Sequence, residues 1–171
     1  LHRGLELSAE SGGFWTVDGQ LILARVKQAQ GDLEGARRAM HEAQRLAAST
    51  EAHTMDDIYV AAMQARLWAS LGELEAAWRW VEEHGLEDGD NGGSPLYQMR
   101  EVEQVTLARI YLAQGQFEQA LEVLRPLHQT AEELERWGIL IEILALEALA
   151  LQASGDLDDA LPLLEAGHPE L

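Results

Sequence analysis

Three arginines in this chain stand at one recurring place. Arg25, Arg66 and Arg109 each precede a glycine (Gly31, Gly72 and Gly115) by six residues, and the fourth such place, before Gly155, holds Leu149. Four residues to either side lie Leu21 and Ala29, Ala62 and Ser70, and Val105 and Ala113, so none of the three has a carboxylate at helical spacing. The ordinary ion pair within one helix is therefore closed to them. Two uses remain. A guanidinium is planar and can hold an anionic or oxygen-rich guest bidentately, with Tyr59, Gln28 and Glu142 as further polar groups on the same face. Alternatively the three form a structural ladder, bonded to glutamates or carbonyls of adjacent helices.

Other chemistry finds little support. The histidines (His2, His41, His53, His84, His128 and His168) are scattered, with no pair at the spacing a helical zinc site uses. No serine sits in a GxSxG elbow. The carboxylate pairs Asp158-Asp159 and Glu132-Glu133 fall at a helix start and on a polar face, where solvated charge suffices. The stretch Asp88-Gly89-Asp90-Asn91 resembles a calcium loop, but Gly92 and Met99 occupy positions that would have to supply oxygen ligands. No GxxxxGK[ST] loop is present to cradle a phosphate. The expectation is a chain with no catalytic residues, no metal and no cofactor of its own.

The arginines are carried by a repeat. Against Gly31, Gly72, Gly115 and Gly155, the position seven before is Ala24, Ala65, Ala108 and Ala148, and five after is Ala36, Ala77, Ala120 and Ala160. Two after come Leu33, Leu74, Phe117 and Leu157. Self-similarity at a period of about 40 residues marks stacked supersecondary units. Before each glycine the apolar spacing suits a helix with one buried face, as in Val105, Ala108, Ile110 and Leu112. The glycine ends that helix at a left-handed position, and Asp32, Glu73 and Asp156 place a carboxylate where the next helix begins. Alanines at the two flanking positions let the helices approach closely, and the large residue between them wedges the turn. Each unit is a helical hairpin that buries its apolar face only by stacking on neighbours.

These units run through the whole chain as one domain, residues 1–171. A half-repeat covers 1–13, and repeats span about 14–50, 53–84, 95–136 and 138–167. The acidic loop 85–95, rich in glycine and turn residues, separates the second and third. Pro126 lies inside the second helix of the third repeat, where a kink is expected. Trp137-Gly138 marks the turn into the fourth repeat. Trp68 and Tyr111 share a repeat position and should pack between helices, whereas Trp78 and Trp80 cannot both face one core.

Composition bounds the partners. Thirty acidic residues face 12 basic ones, a formal net charge of −18. That charge repels a phosphate backbone and removes the term that dominates nonspecific DNA binding. No apolar run approaches the roughly 20 residues of a membrane helix. With no cysteine there is no disulfide framework, which is compatible with a cytoplasmic location. The absence of an initiator methionine suggests a piece of a longer protein.

The hairpin resembles a tetratricopeptide repeat, with small residue, glycine and small residue at that family's spacing and Tyr111 where it favours tyrosine. The units are longer than the usual 34 residues, and Lys27, Trp68 and Leu151 replace that tyrosine elsewhere. LARVKQAQGDLEGAR, PLYQMREVEQVTLARIYLAQGQFEQAL and ILIEILALEALALQASGDLDDAL resemble more closely the helical-repeat domain of MalT-like regulators, ATP-dependent transcriptional activators of the LuxR family. The resemblance implies an all-α fold, an α-α superhelix of tetratricopeptide-like hairpins with the arginine positions turned toward a concave groove. It implies that ATP and DNA are bound by other parts of the full protein, and that this part senses an effector and takes part in self-association. The expected partner is a small-molecule effector or a protein or peptide in the groove, with no direct nucleic acid contact and no membrane. The alternative is a free-standing tetratricopeptide-like scaffold that recruits a peptide or protein.

Overall fold

The computed structural model describes residues 14–48, 54–86 and 97–156. Seven helices account for most of them: α1 (Phe14–Ala29), α2 (Leu33–Ala48), α3 (Thr54–Ser70), α4 (Leu74–Glu83), α5 (Tyr97–Ala113), α6 (Phe117–Glu133) and α7 (Trp137–Ser154). Among the described residues there is no strand. The half-repeat 1–13, nearly all of the acidic loop and the second helix of the fourth repeat lie outside the described residues.

The recurring glycines do what the spacing requires. Gly31, Gly72, Gly115 and Gly155 all have positive φ, between 75° and 99°. At Gly115 the amide donates to Leu112 O at 3.1 Å, and the next amide, of Gln116, reaches back to Tyr111 O at 2.9 Å. This pair of bonds closes a helix C-terminus on otherwise orphaned carbonyls, and the same two offsets recur at the other three glycines. A methyl group built on Gly115 would meet nothing within 4 Å, so the demand for glycine comes from the backbone alone. Between α6 and α7 the same bonding pattern is built on Glu135, whose φ is 52°. The turn is thus Leu134 to Arg136, and Trp137 opens α7 instead of forming the turn.

These two turns give opposite expectations. Gly115→Ala should cost about 1–2 kcal/mol, the price of a Cβ in the left-handed region. Glu135→Gly should raise stability by a smaller amount, because relief of the same strain is offset by glycine's extra unfolded-state freedom. Urea melts of the two variants check both signs.

The chain divides into two compact units, Leu1–Gln64 and Ala65–Leu171, with the boundary inside α3. In the first, α1 packs on α2 through small side chains. Ala24 and Ala36, the alanines at the two repeat offsets, are 2 % and 0 % exposed, which is what lets the backbones approach. Asp32 caps α2: Oδ1 accepts the Gly35 amide at 2.9 Å and Oδ2 accepts Lys27 Nζ at 2.9 Å. Gln44 of α2 donates to Gln64 of α3. Leu33, at the wedge position, stays largely exposed, whereas Leu74 and Phe117 are half-buried.

In the second unit α5, α6 and α7 enclose a core of Val105, Ala108, Leu124, Leu127, Ala131, Leu140, Ile143, Leu144 and Leu146. Helix α6 runs through Pro126 to Glu133. Pro126 is on the exposed side, where its missing donor leaves a carbonyl facing water. Trp80 is buried while Trp78 is half-buried, its ring 5.7 Å from that of Tyr111. Trp80 therefore belongs to the interior and Trp78 to the seam between α4 and α5. Helix α7 is long and apolar enough to cross a membrane by length and composition, with mean hydropathy 1.5. Packing into this core accounts for part of that composition, through Leu140, Ile143, Leu144 and Leu146.

Candidate functional site

Two of the three repeat-position arginines converge. Arg66, in the last turns of α3, donates Nε to Thr106 Oγ1 at 2.8 Å and Nη1 to Glu142 Oε1 at 2.9 Å. Arg109 of α5 donates Nε and Nη2 to the same Oε1, at 3.2 and 3.0 Å. Thr106 in turn donates to Val102 O at 2.7 Å. The cluster is a diagonal across three first helices of successive hairpins. Arg66 stands six residues before its glycine, Thr106 nine before Gly115 and Glu142 thirteen before Gly155. The side chains are sheltered unequally: Arg66 is 19 % exposed, Glu142 28 % and Arg109 40 %.

A second pair adjoins it. Arg136 Nη1 donates to Glu101 Oε1 at 2.8 Å, and Glu101 is buried on α5 within electrostatic reach of Glu142. Burial pushes the Glu101 carboxyl above its ordinary range despite the arginine.

Arg25, Gln28 and Tyr59, the other groups the sequence singled out, lie in the first unit. Arg25 is exposed on α1, Gln28 is half-buried and Tyr59 is 40 % exposed on α3. Ile22 and Val26, beside Arg25 on α1, are exposed too. Thr106, Glu101 and Arg136 were not legible as members of the cluster. The one available signal was that Glu101 stands at nearly the repeat position of Glu142.

Elsewhere in the second unit His128 Nδ1 lies 2.8 Å from Glu147 Oε2, with Glu147 buried inside α7. Burial raises the Glu147 carboxyl, and it raises Glu103 on α5 as well. Glu132 and Glu133 are solvated. Among the described residues no three His, Asp or Glu side chains group in a way that could hold a metal ion.

The buried glutamates predict a pH trend. With folded pKa values raised above the unfolded value near 4.5, Glu101, Glu103 and Glu147 hold protons in the folded chain that the unfolded chain has lost. Stability therefore falls as pH rises through that window. The melting temperature should be higher near pH 5 than at neutrality, and Glu147→Gln should narrow the difference. At still lower pH the trend reverses, because Asp32 and Glu42 are held below their ordinary range by Lys27 and Arg45. Thermal melts across the pH range check the sign; a melting temperature that only falls on acidification from neutrality contradicts it.

Comparison with known proteins agrees with the hairpin geometry. Neither the curated proteins nor the solved structures include a match. One family does match, described as the MalT-like TPR region, over residues 1–166. That span contains every repeat glycine and every member of the charged cluster. The all-α, tetratricopeptide-like hairpins agree with that description, and the chain belongs to the MalT-like TPR region family.

Proposed function

We propose that this chain is the effector-sensing and protein-interaction domain of a MalT-like transcriptional activator of the LuxR family, acting in the cytoplasm. It carries out no reaction and needs no cofactor of its own. The observation that supports this reading is the Arg66–Thr106–Arg109–Glu142 cluster, in which arginines of two successive hairpins share one acceptor on the third. A guest bound there touches three stacked units together. In a solenoid, where each unit contacts only its neighbours, such a guest biases the stacking itself and so can pass a signal along the array. The net charge of −18 supports a reading in which this chain does not itself contact DNA.

The test is a reporter assay with the full activator encoded by the parent gene. Arg109→Gln should abolish the response to effector while the protein stays folded and still binds its DNA site. An unchanged response would remove the cluster from sensing. A parent gene with no nucleotide-binding loop upstream and no helix-turn-helix downstream would favour a free-standing scaffold instead.

A further inference from the structure

We propose that the contact between His128 and Glu147 is a proton-operated latch on the joint between the third and fourth repeats, drawn tight when the pair gains a proton and loosened when it gives that proton up. The inference stands apart from the sensing reading and does not depend on it.

Placement comes first. Helix α7 carries two charged residues, Glu142 and Glu147. Each meets a side chain of a neighbouring helix that bears, or can take on, positive charge. Glu142 is held by Arg66 and Arg109, and a guanidinium keeps its charge at every pH a folded protein meets. Glu147 is held by His128 of α6, Nδ1 to Oε2 at 2.8 Å, and an imidazole ordinarily changes charge between about pH 5 and 8. The first contact is constant and the second can switch. Among the described residues, His128 is the one histidine hydrogen-bonded to a carboxylate; His84 Nδ1 meets Trp80 O instead.

Burial gives the switch its leverage. The Glu147 side chain is 4 % exposed, and one turn away on α7 stand Ile143, Leu144, Ala150 and Leu151, all apolar. Burial holds its carboxyl above the ordinary range, against the pull of His128 and Arg125. With the imidazole neutral, Nδ1–H donates to the carboxylate and the pair keeps a buried negative charge. One added proton makes the pair neutral, as imidazolium beside carboxylate, and the bond becomes charge-assisted and about twice as strong. The ring itself is 26 % exposed, so solvent delivers the proton without opening the seam.

Other charges interfere little. On α6, Arg125 and Glu132 stand one turn before and after His128, both exposed, where water and salt screen them. On α7 the other charge is Glu142, held by its arginines. The charged groups of α5, Arg100, Glu101, Glu103 and Arg109, are not among those that act on Glu147.

The pair spans a joint and not a hairpin, because α6 ends the third repeat and α7 opens the fourth. The stability of a repeat array is a sum over units and over the interfaces between neighbours. A proton at this seam therefore acts on one interface.

Amide hydrogen exchange of the full 171-residue chain at about pH 5.5 and about pH 7.5, on either side of the imidazole range and corrected for intrinsic rates, tests this. Protection of the α7 amides from Ile143 to Ala150 should drop about tenfold at the higher pH, the effect of a one-unit difference in proton affinity between closed and open seams. Protection in α1 and α2 should change far less. His128→Gln keeps an N–H donor beside Glu147 but takes up no proton, so it should abolish the drop. His41→Gln, on the exposed side of α2, should leave it in place. If His128→Gln does not fold, the wild-type chain decides: the His128 ring resonances must titrate over the same interval as the α7 step, and a step without that titration overturns the proposal. Equal protection at both pH values overturns it too. So does a step that persists in His128→Gln, which would belong to Glu101 or Glu103, the other buried carboxyls that burial raises.

Discussion

Arg66→Leu should destabilise the chain by about 2–3 kcal/mol, because hydrogen bonds to charged groups are worth about that much and a stranded partner loses them. Arg66 is the more sheltered of the cluster's two arginines, 19 % exposed against 40 % for Arg109. Removing its guanidinium takes the donor from Thr106 Oγ1 and one of the two cations from Glu142. Leucine fills part of the space and satisfies neither group. Arg25→Leu is the matched control. Arg25 occupies the same repeat position but is exposed, so its replacement should stay within about 0.5 kcal/mol. Equilibrium urea unfolding of the two variants separates a fold-building role from a surface one. Equal costs at both positions would contradict this assignment, and a neutral Arg66→Leu would show that its guanidinium is held for a ligand instead. Within the cluster Arg66 is then the fold-building member, and Arg109 is the more exposed one.

The larger effect is expected in the core. Ile143→Ala should cost about 3–4 kcal/mol, in the range for emptying a fully buried aliphatic site. Ile143 is 0 % exposed and meets α5 and α6 side chains in the central cluster of the second unit. Those neighbours are large and held by helices on both sides, so the cavity can collapse only in part. Ile141→Ala, two residues away on α7, should cost less than about 0.5 kcal/mol because Ile141 is 56 % exposed. The contrast tests α7 itself. Its sequence is apolar on nearly all sides, and only packing distinguishes the face that holds the unit together from the face left open beside Glu142. Similar costs for the two isoleucines would mean that α7 is buried on both faces.

The repeat architecture was legible in the sequence because its determinants are local. A glycine seven residues after one alanine and five before another dictates a helix end, a left-handed turn and a close-packed pair, whatever surrounds it. All four glycines took the positive φ that this demands, and the helix ends followed to within a few residues. Aspartate at position 32 likewise announced its own cap. The turn at Glu135 was not announced, since glutamate seldom adopts positive φ and only the stacking of α6 against α7 holds it there. The arginines were visible for the same reason as the glycines, through a fixed offset. Their partners were not. Glu142 lies 76 residues from Arg66 and 33 from Arg109, and Arg136 meets Glu101 across 35. Which carboxylate an arginine reaches depends on how far each hairpin is shifted and rotated against the next. That shift is set by the summed packing of alanines, leucines and valines along whole helices, a quantity no single residue or spacing records. The sequence thus determined the units and the series of cations on them; the tertiary structure alone decided that two of those cations share one oxygen.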